Sequence, residues 1–113
     1  MRYENQARQY LEARGLICLQ HNYYCRFGEI DLIMRDRETL CFVEVKFRQS
    51  LAFGGAAYSI PRSKQQKLIK TSQYYLFEHN KFANHALRFD AVLIQQHKDT
   101  SQTNWIKNAF YAE

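Results

Sequence analysis

The sequence predicts an α/β fold in which a mixed β-sheet is flanked by helices. Two segments repeat apolar residues at helical spacing, and four others have the alternating or continuous apolar pattern of strands. Their order is α-β-β-β-α-β with a short final element, which is typical of a sheet covered by helices. Since the chain has 113 residues, we expect one domain spanning residues 1–113.

The first half of the chain contributes one helix and three strands. Apolar residues recur at helical spacing over residues 3–14, and Gly15 can end that helix. Strand-forming residues follow over 16–24, 29–34 and 40–47. A short charged segment separates the last two strands, which therefore predict an antiparallel hairpin.

The second half contributes a long helix and a buried strand. The helix covers residues 62–79, with Pro61 in its first turn. Residues 87–94 are almost continuously apolar, as expected of a central strand that is covered on both faces. The polar residues 95–104 predict a loop, and residues 105–111 return as a short strand or helical turn.

The composition excludes several classes of protein. A hydrophobic fraction of 46% with 24% charged residues rules out disordered and collagen-like chains. No apolar run approaches the roughly 20 residues of a membrane-spanning helix. The N-terminus lacks the apolar region of a secretory signal, and three cysteines at irregular spacing are typical of reduced thiols. We therefore expect a cytoplasmic protein that is not in a membrane.

The formal net charge of +5 is unevenly distributed. Residues 1–50 hold eight bases and seven acids, a net charge of +1, whereas residues 51–113 hold eight bases and four acids, a net charge of +4. Between residues 51 and 77, four bases occur without an acid: Arg62, Lys64, Lys67 and Lys70. This pattern suits a surface that follows phosphates, although a solvated helix face would look the same.

The hairpin carries its charged residues on coherent faces. On the second strand, period-2 alternation places Glu29 and Asp31 on one face and Ile30 and Leu32 on the other. The third strand presents three charged residues on one face: Glu44, Lys46 and Arg48.

The register of the hairpin brings two of these carboxylates together. A turn centred on residues 37–38 puts Asp31 opposite Glu44 and Glu29 opposite Lys46. Opposed Cβ atoms lie about 4.5–5.5 Å apart, so the two carboxylates repel unless a cation or proton lies between them. A bridging Mg²⁺, with Lys46 beside it, could activate water against a phosphodiester. The alternative is a solvated hairpin in which Glu29 and Lys46 form an ordinary ion pair.

Several segments of the chain resemble the PD-(D/E)-x-K nuclease superfamily. Over nearly its whole length, the chain is similar to the YraN-like family of uncharacterised bacterial proteins, which is related to Holliday-junction resolvases. The matching segments are Glu4-x-x-Ala7-x-x-Tyr10-Leu11, Gly28-Glu29-Ile30-Asp31-Leu32-Ile33, Phe42-Val43-Glu44-Val45-Lys46-x-Arg48, Phe53-Gly54, Lys64, Tyr75-Leu76, Arg88-Phe89-Asp90 and Asn108-Ala109-Phe110.

The resemblance implies a restriction-endonuclease-like fold, Mg²⁺ or Mn²⁺ as cofactor, and nucleic acid as substrate. It implies that Asp31 and Glu44 bind the metal and that Lys46 is the catalytic lysine. Glu4 matches a family acid that helps to hold metal or water, and Glu29 is a motif residue that we include among the catalytic candidates. No proline precedes Asp31, a departure that the superfamily tolerates.

The sequence therefore predicts a nucleic-acid-binding protein, and more specifically a metal-dependent endonuclease acting on branched or damaged DNA. Two alternatives remain: a nuclease-fold protein that binds nucleic acid or a partner protein without cutting, and an ion-paired hairpin with a structural role.

A junction resolvase would be expected to act as a homodimer. We expect Asp90 to support the sheet through a pair with Arg88 or with a lysine. The candidate DNA contacts are Arg48, Arg62, Lys64, Lys67 and Lys70, of which Lys64 lies closest to the apolar stripe of its helix and could reach the site.

Overall fold

The computed structural model describes residues 2–49 and 58–112, and residues 50–57, with Phe53-Gly54, lie outside the described residues. Its elements are α1 (Arg2–Glu12), β1 (Ile17–Cys25), β2 (Gly28–Asp36), β3 (Thr39–Gln49), α2 (Arg62–Glu78), a 3₁₀ turn (Asn80–Phe82), β4 (Ala86–His97) and β5 (Thr100–Phe110). Neither helix in this part of the chain is long and apolar enough to cross a membrane.

The strands form one mixed sheet in the order β1-β2-β3-β4-β5. β3 and β4 are parallel and are joined by a crossover that contains α2. The neighbouring pairs β1–β2, β2–β3 and β4–β5 are antiparallel. The predicted α/β class is confirmed, and this topology is consistent with the restriction-endonuclease-like fold that the resemblance implied.

The sheet has a hydrophobic core on each face. α1 buries Ala7 and Leu11 in a cluster that includes Val43. α2 buries Leu68 and Tyr75 in a second cluster. Successive residues of β3 alternate between the two clusters, so the clusters lie on opposite faces of the sheet. One helix therefore covers each face.

The predicted loop over residues 95–104 is wrong. β4 continues to His97 and β5 begins at Thr100, with a two-residue turn between them in which Lys98 has φ 54°. Gln95 pairs with Gln102, and the ladder continues to the turn. The polar side chains misled the prediction because backbone pairing does not require apolar residues, and β5 lies at the edge of the sheet with most of its side chains exposed or partly exposed. The strand alternative for residues 105–111 is confirmed, since β5 runs to Phe110.

A buried carboxylate holds β4 and β5 together. Asp90 is fully buried and accepts hydrogen bonds from Arg88 Nε (2.9 Å), Trp105 Nε1 (3.0 Å) and the backbone N–H of Asn108 (3.1 Å). Arg88 Nη2 also donates to Asp36 Oδ2 at 3.0 Å. The register of β5 shifts beside Asp90, where Asn108 has φ 52°. The Asp90 carboxylate therefore accepts from the Asn108 N–H, which has no partner in the β4–β5 ladder. The expected Arg88–Asp90 pair is confirmed.

We expect Asp90→Ala to lower the free energy of unfolding by about 3–5 kcal/mol, because it leaves the guanidinium of Arg88 without its buried partner. Urea denaturation measures the effect. Asp99→Ala, in the exposed β4–β5 turn, is the matched control and should change stability by less than about 0.5 kcal/mol. Equal effects of the two substitutions would contradict a structural role for Asp90.

Candidate functional site

The β2–β3 hairpin has the predicted register and ends at the candidate site. Its pairs run from Asp36–Thr39 to Leu32–Val43, with the turn at residues 37–38 as expected. The ladder ends there, and the next contact is made by a side chain: Asp31 Oδ2 accepts a hydrogen bond from the backbone N–H of Val45 at 2.8 Å. This bond fixes the carboxylate of Asp31 against β3.

The strict alternation predicted for β2 is wrong at Asp31. Ile30 packs in the core under α2, whereas Leu32 packs in the core under α1, so these two residues do not share a face. Opposite this point on β1, Asn22 has φ 52°, a left-handed conformation that interrupts the pleat. The β2–β3 ladder ends at the same place, so β2 can twist there. Asp31 therefore lies at the point where the side chains of β2 change from one face of the sheet to the other.

Two further acids approach Asp31 from different elements. Glu4, in the first turn of α1, has its pKa raised by burial and by the charge and hydrogen bonding of Asp31. Glu44 of β3 is 5% exposed, and burial, with a smaller contribution from Asp31, raises its pKa despite a bound lysine. Among the described residues, Glu4 Oε1 is buried without a hydrogen-bond partner. The three carboxyl groups therefore form a region that is short of positive charge.

The lysine that forms an ion pair with Glu44 comes from α2. Lys64 Nζ lies 2.5 Å from Glu44 Oε2, and the Lys64 side chain is half-exposed. Burial alone would lower the pKa of Lys64, but the hydrogen bond and charge of Glu44, with the charge of Asp31, raise it. The sequence predicted Lys64 as a DNA contact that could reach the site. The structure brings it into the site as the ion-pair partner of Glu44.

The predicted opposition of Glu29 and Lys46 is not found. The ladder ends before these residues, and no ion pair joins them in the described part of the chain. Lys46 is exposed on β3, two residues beyond Glu44 and on the same side of the strand by alternation. Glu29 is also exposed, and its charge raises the pKa of Tyr24 on β1. The catalytic candidates thus divide into the buried Glu44 with two partly buried acids, Glu4 and Asp31, and two exposed residues.

The site contains an aromatic residue that the sequence did not indicate. Burial, followed by the charge of Glu44, raises the pKa of Tyr58, which precedes α2. The guanidinium of Arg48 lies 6.0 Å from the centroid of the Tyr58 ring, so this predicted phosphate contact borders the site. No motif or periodicity singles out Tyr58, because only the crossover to α2 brings it beside β3.

The remaining predicted DNA contacts are exposed on α2. At about 100° per residue, Lys67 and Lys70 follow Lys64 along one side of the helix, toward the β1–β2 turn. Arg62 points about 200° away from Lys64 and lines a separate hollow with Tyr111. The structure therefore groups three of the four helix cations and separates the fourth.

The residues present fit a hard divalent cation whose coordination is completed from outside the protein. No group of three or more His, Cys, Asp or Glu among residues 2–49 and 58–112 is positioned to hold a metal by itself. Asp31 and Glu44 nevertheless offer carboxylate oxygens, and the unpaired Oε1 of Glu4 lies in the same region. Mg²⁺ is commonly bound by one or two carboxylates together with water and substrate phosphate.

Comparison with known proteins identifies one family. The sequence model described as "Uncharacterised protein family UPF0102" matches residues 3–94. Proteins named only as UPF0102 proteins align over most of both chains. One from Saccharophagus degradans is 50% identical over 104 residues, covering 92% of this chain and 85% of its own. One from Stutzerimonas stutzeri is 47% identical, with 92% and 87% covered. One from Nitrosomonas europaea is 49% identical over 107 residues, with 95% and 88% covered.

We expect protonation of Glu44 to raise the free energy of unfolding of the metal-free protein as pH falls from 7 toward the ordinary glutamate pKa of 4.5. The raised pKa means that the folded state binds a proton in this range more readily than the unfolded chain, so this contribution is lost as pH rises through the folded pKa. Glu44→Gln should remove that part of the slope of unfolding free energy against pH.

The control is Glu38→Gln, in the exposed hairpin turn, which should keep the parent slope. Urea denaturation in EDTA at several pH values makes the comparison. A Glu44→Gln slope that equals the parent slope would show that burial does not disfavour the Glu44 carboxylate.

Proposed function

Because the chain belongs to the UPF0102 family, the YraN-like group it resembles, and the family description names no activity, we propose a function from the site itself. The proposed function is that of a divalent-metal-dependent endonuclease that hydrolyses phosphodiester bonds in DNA. The observation that carries the proposal is the convergence of Glu4, Asp31 and Glu44 on one region with a single ion-paired lysine.

Asp31 and Glu44 are the proposed ligands of Mg²⁺ or Mn²⁺, which would supply a Lewis acid for the phosphodiester and lower the pKa of an attacking water. The Val45 N–H holds Asp31 in place, so one ligand is oriented before substrate arrives. Glu4 presents its unpaired oxygen to the same region and can accept a hydrogen bond from a bound water. Glu29 lies beside Tyr24 at the exposed edge and would act less directly.

The two lysines have different proposed roles. Lys46 is exposed on the Glu44 side of β3, so it can approach substrate and stabilise the negative charge that develops on phosphorus. Lys64 compensates the Glu44 carboxylate from α2. Its side chain is half-exposed, so it can turn toward a phosphate when other positive charge reaches Glu44.

The proposed substrate contacts follow the positive surface. Lys67 and Lys70 extend from the site along α2, and Arg48 borders it on β3. The resemblance to junction resolvases favours branched or damaged DNA, with a homodimer as the assembly that would make two cuts. The three cysteines are free thiols, which supports the cytoplasm as the location.

One observation favours a second candidate, a nuclease-fold protein that binds DNA or a partner protein without cutting. Lys64 already occupies one oxygen of Glu44, so this carboxylate has a cationic partner without a metal. In that case Glu44 would serve to position Lys64, and the exposed lysines of α2, Lys67 and Lys70, would still bind phosphates.

We expect the parent protein to cleave DNA in Mg²⁺ or Mn²⁺ at low salt, and Asp31→Asn and Lys46→Ala to reduce cleavage at least about 100-fold. Both substitutions are expected to leave DNA binding in place. The assay is a gel panel of linear, nicked, flapped and four-way DNA, with binding measured in parallel.

Asp99→Asn, in the β4–β5 turn remote in sequence from the site residues, should cleave like the parent. If the parent cuts none of the four forms yet binds them, the non-cutting alternative is correct.

We expect Mn²⁺ to raise the thermal midpoint of unfolding of the parent and EDTA to reverse the rise. A ligand at 100 times its Kd stabilises the folded state by about 2.7 kcal/mol. Asp31→Asn should lose most of this increment, because its amide can still accept from Val45 but no longer supplies a charged ligand. Calorimetric titration of both proteins at neutral pH provides the affinity, and a parent that binds no divalent cation would exclude the metal site.

A further inference from the structure

An exposed aromatic groove lies at the far end of α2 from the candidate site. Its lining residues are Phe27, Lys70, Gln73, Tyr74 and Phe77, around a volume of about 390 Å³. The Tyr74 ring lies 6.0 Å from the Phe27 ring and 6.3 Å from the Phe77 ring, measured between centroids. The three rings thus follow one another across the surface.

The outermost ring has no role in the core. Phe77 is 81% exposed and belongs to neither hydrophobic cluster in the described part of the chain. Tyr74 is only partly buried. A largely exposed phenylalanine beside two partly buried rings forms an apolar patch, and such a patch on a small protein commonly marks a binding surface.

The groove continues the positive side of α2. At 100° per residue, Lys67, Lys70, Tyr74 and Phe77 fall within an arc of about 80°. Lys64 borders this arc at the site end, and the rise of about 1.5 Å per residue puts it roughly 20 Å from Phe77. The same side of the helix is therefore basic near the site and aromatic at its other end.

The charges around the groove favour an anionic occupant. The Arg26 guanidinium lies 4.8 Å from the centroid of Phe27, and Lys70 lines the groove itself. The acid at this end of α2, Glu78, is not among the residues that line the groove, and its carboxylate accepts a hydrogen bond from Tyr23 Oη at 2.6 Å. An apolar floor with positive edges matches the chemistry of a nucleic-acid strand, which has flat bases and a charged backbone.

We propose that the aromatic groove stacks unpaired bases of a nucleic-acid strand whose phosphates follow Lys70 and Lys67 toward Lys64. This inference rests on the proposed function and narrows its substrate to nucleic acid with a single-stranded segment about 20 Å from the candidate site. Stacking tolerates any base, because every base has a π-face. A duplex, whose bases are stacked on each other, would contact only the lysines.

The test compares Phe77→Ala with the parent in EDTA, so that no cleavage interferes. Fluorescence anisotropy gives the affinity for a labelled oligothymidylate and for a duplex of equal length. Phe77→Ala should bind the single strand at least about fivefold more weakly and the duplex as the parent does. Phe77→Trp should keep the affinity, and its tryptophan fluorescence, after subtraction of the parent signal from Trp105, should be quenched by the single strand but not by the duplex.

Tyr111→Ala is the matched control, because Tyr111 is 72% exposed and lies in the separate hollow with Arg62. It should bind both probes like the parent. Circular dichroism of all three variants checks the fold.

Two results would overturn the inference while the proposed function stands. One is equal single-strand binding by Phe77→Ala and the parent, with duplex binding intact. The other is a parent dimer that Phe77→Ala converts to a monomer without changing single-strand affinity, since the groove would then join two copies of the chain. A parent that binds neither probe would overturn the inference and the proposed function together.

Discussion

The hydrogen bond from the Val45 N–H to Asp31 determines the form of the candidate site. At the position where the strands stop pairing, this side-chain contact takes the place of a backbone hydrogen bond between β2 and β3. Beyond that position, residues from both faces of the sheet can approach the carboxylate of Asp31. Glu4 arrives from α1, while Lys64 arrives from α2 through its pair with Glu44.

Two buried carboxylates in this protein have opposite electrostatic surroundings. Asp90 accepts hydrogen bonds from Arg88, Trp105 and Asn108, so its charge is compensated and it holds β4 to β5. Glu44 is almost as deeply buried, but among the described residues its surroundings include the negative charge of Asp31 and one ion-paired lysine. A carboxylate whose charge is fully compensated by hydrogen-bond donors stabilises the fold. A carboxylate whose charge is only partly compensated retains affinity for a cation. This difference is why we assign structure to the first and function to the second.

α2 connects the candidate site with a distant surface. Its buried side, with Leu68 and Tyr75, fixes it on the sheet, and that packing directs Lys64 toward Glu44. The adjacent side changes from lysines to aromatic rings along its length. Because a helix is rigid over this distance, the positions of the lysines and rings relative to Glu44 are set by the same packing.

The sequence by itself determined the elements and the hairpin register. Period-2 patterns predicted β2 and β3, and a turn at residues 37–38 correctly paired Leu32 with Val43. These features are local, because strand faces and hairpin registers depend on neighbouring residues and turn length. The same local reasoning failed for β5, whose polar residues pair because β4 extends beside them.

Only the tertiary structure decided how the residues of the site are arranged and paired. The break in alternation at Asp31 coincides with the left-handed conformation of Asn22 on the adjacent strand, and the pairing of Glu44 with Lys64 depends on how the crossover packs α2. Tyr58 enters the site by the same crossover. Such contacts join residues distant in sequence, so no local periodicity encodes them. The energy that selects them is the burial of both helices against the two faces of one sheet.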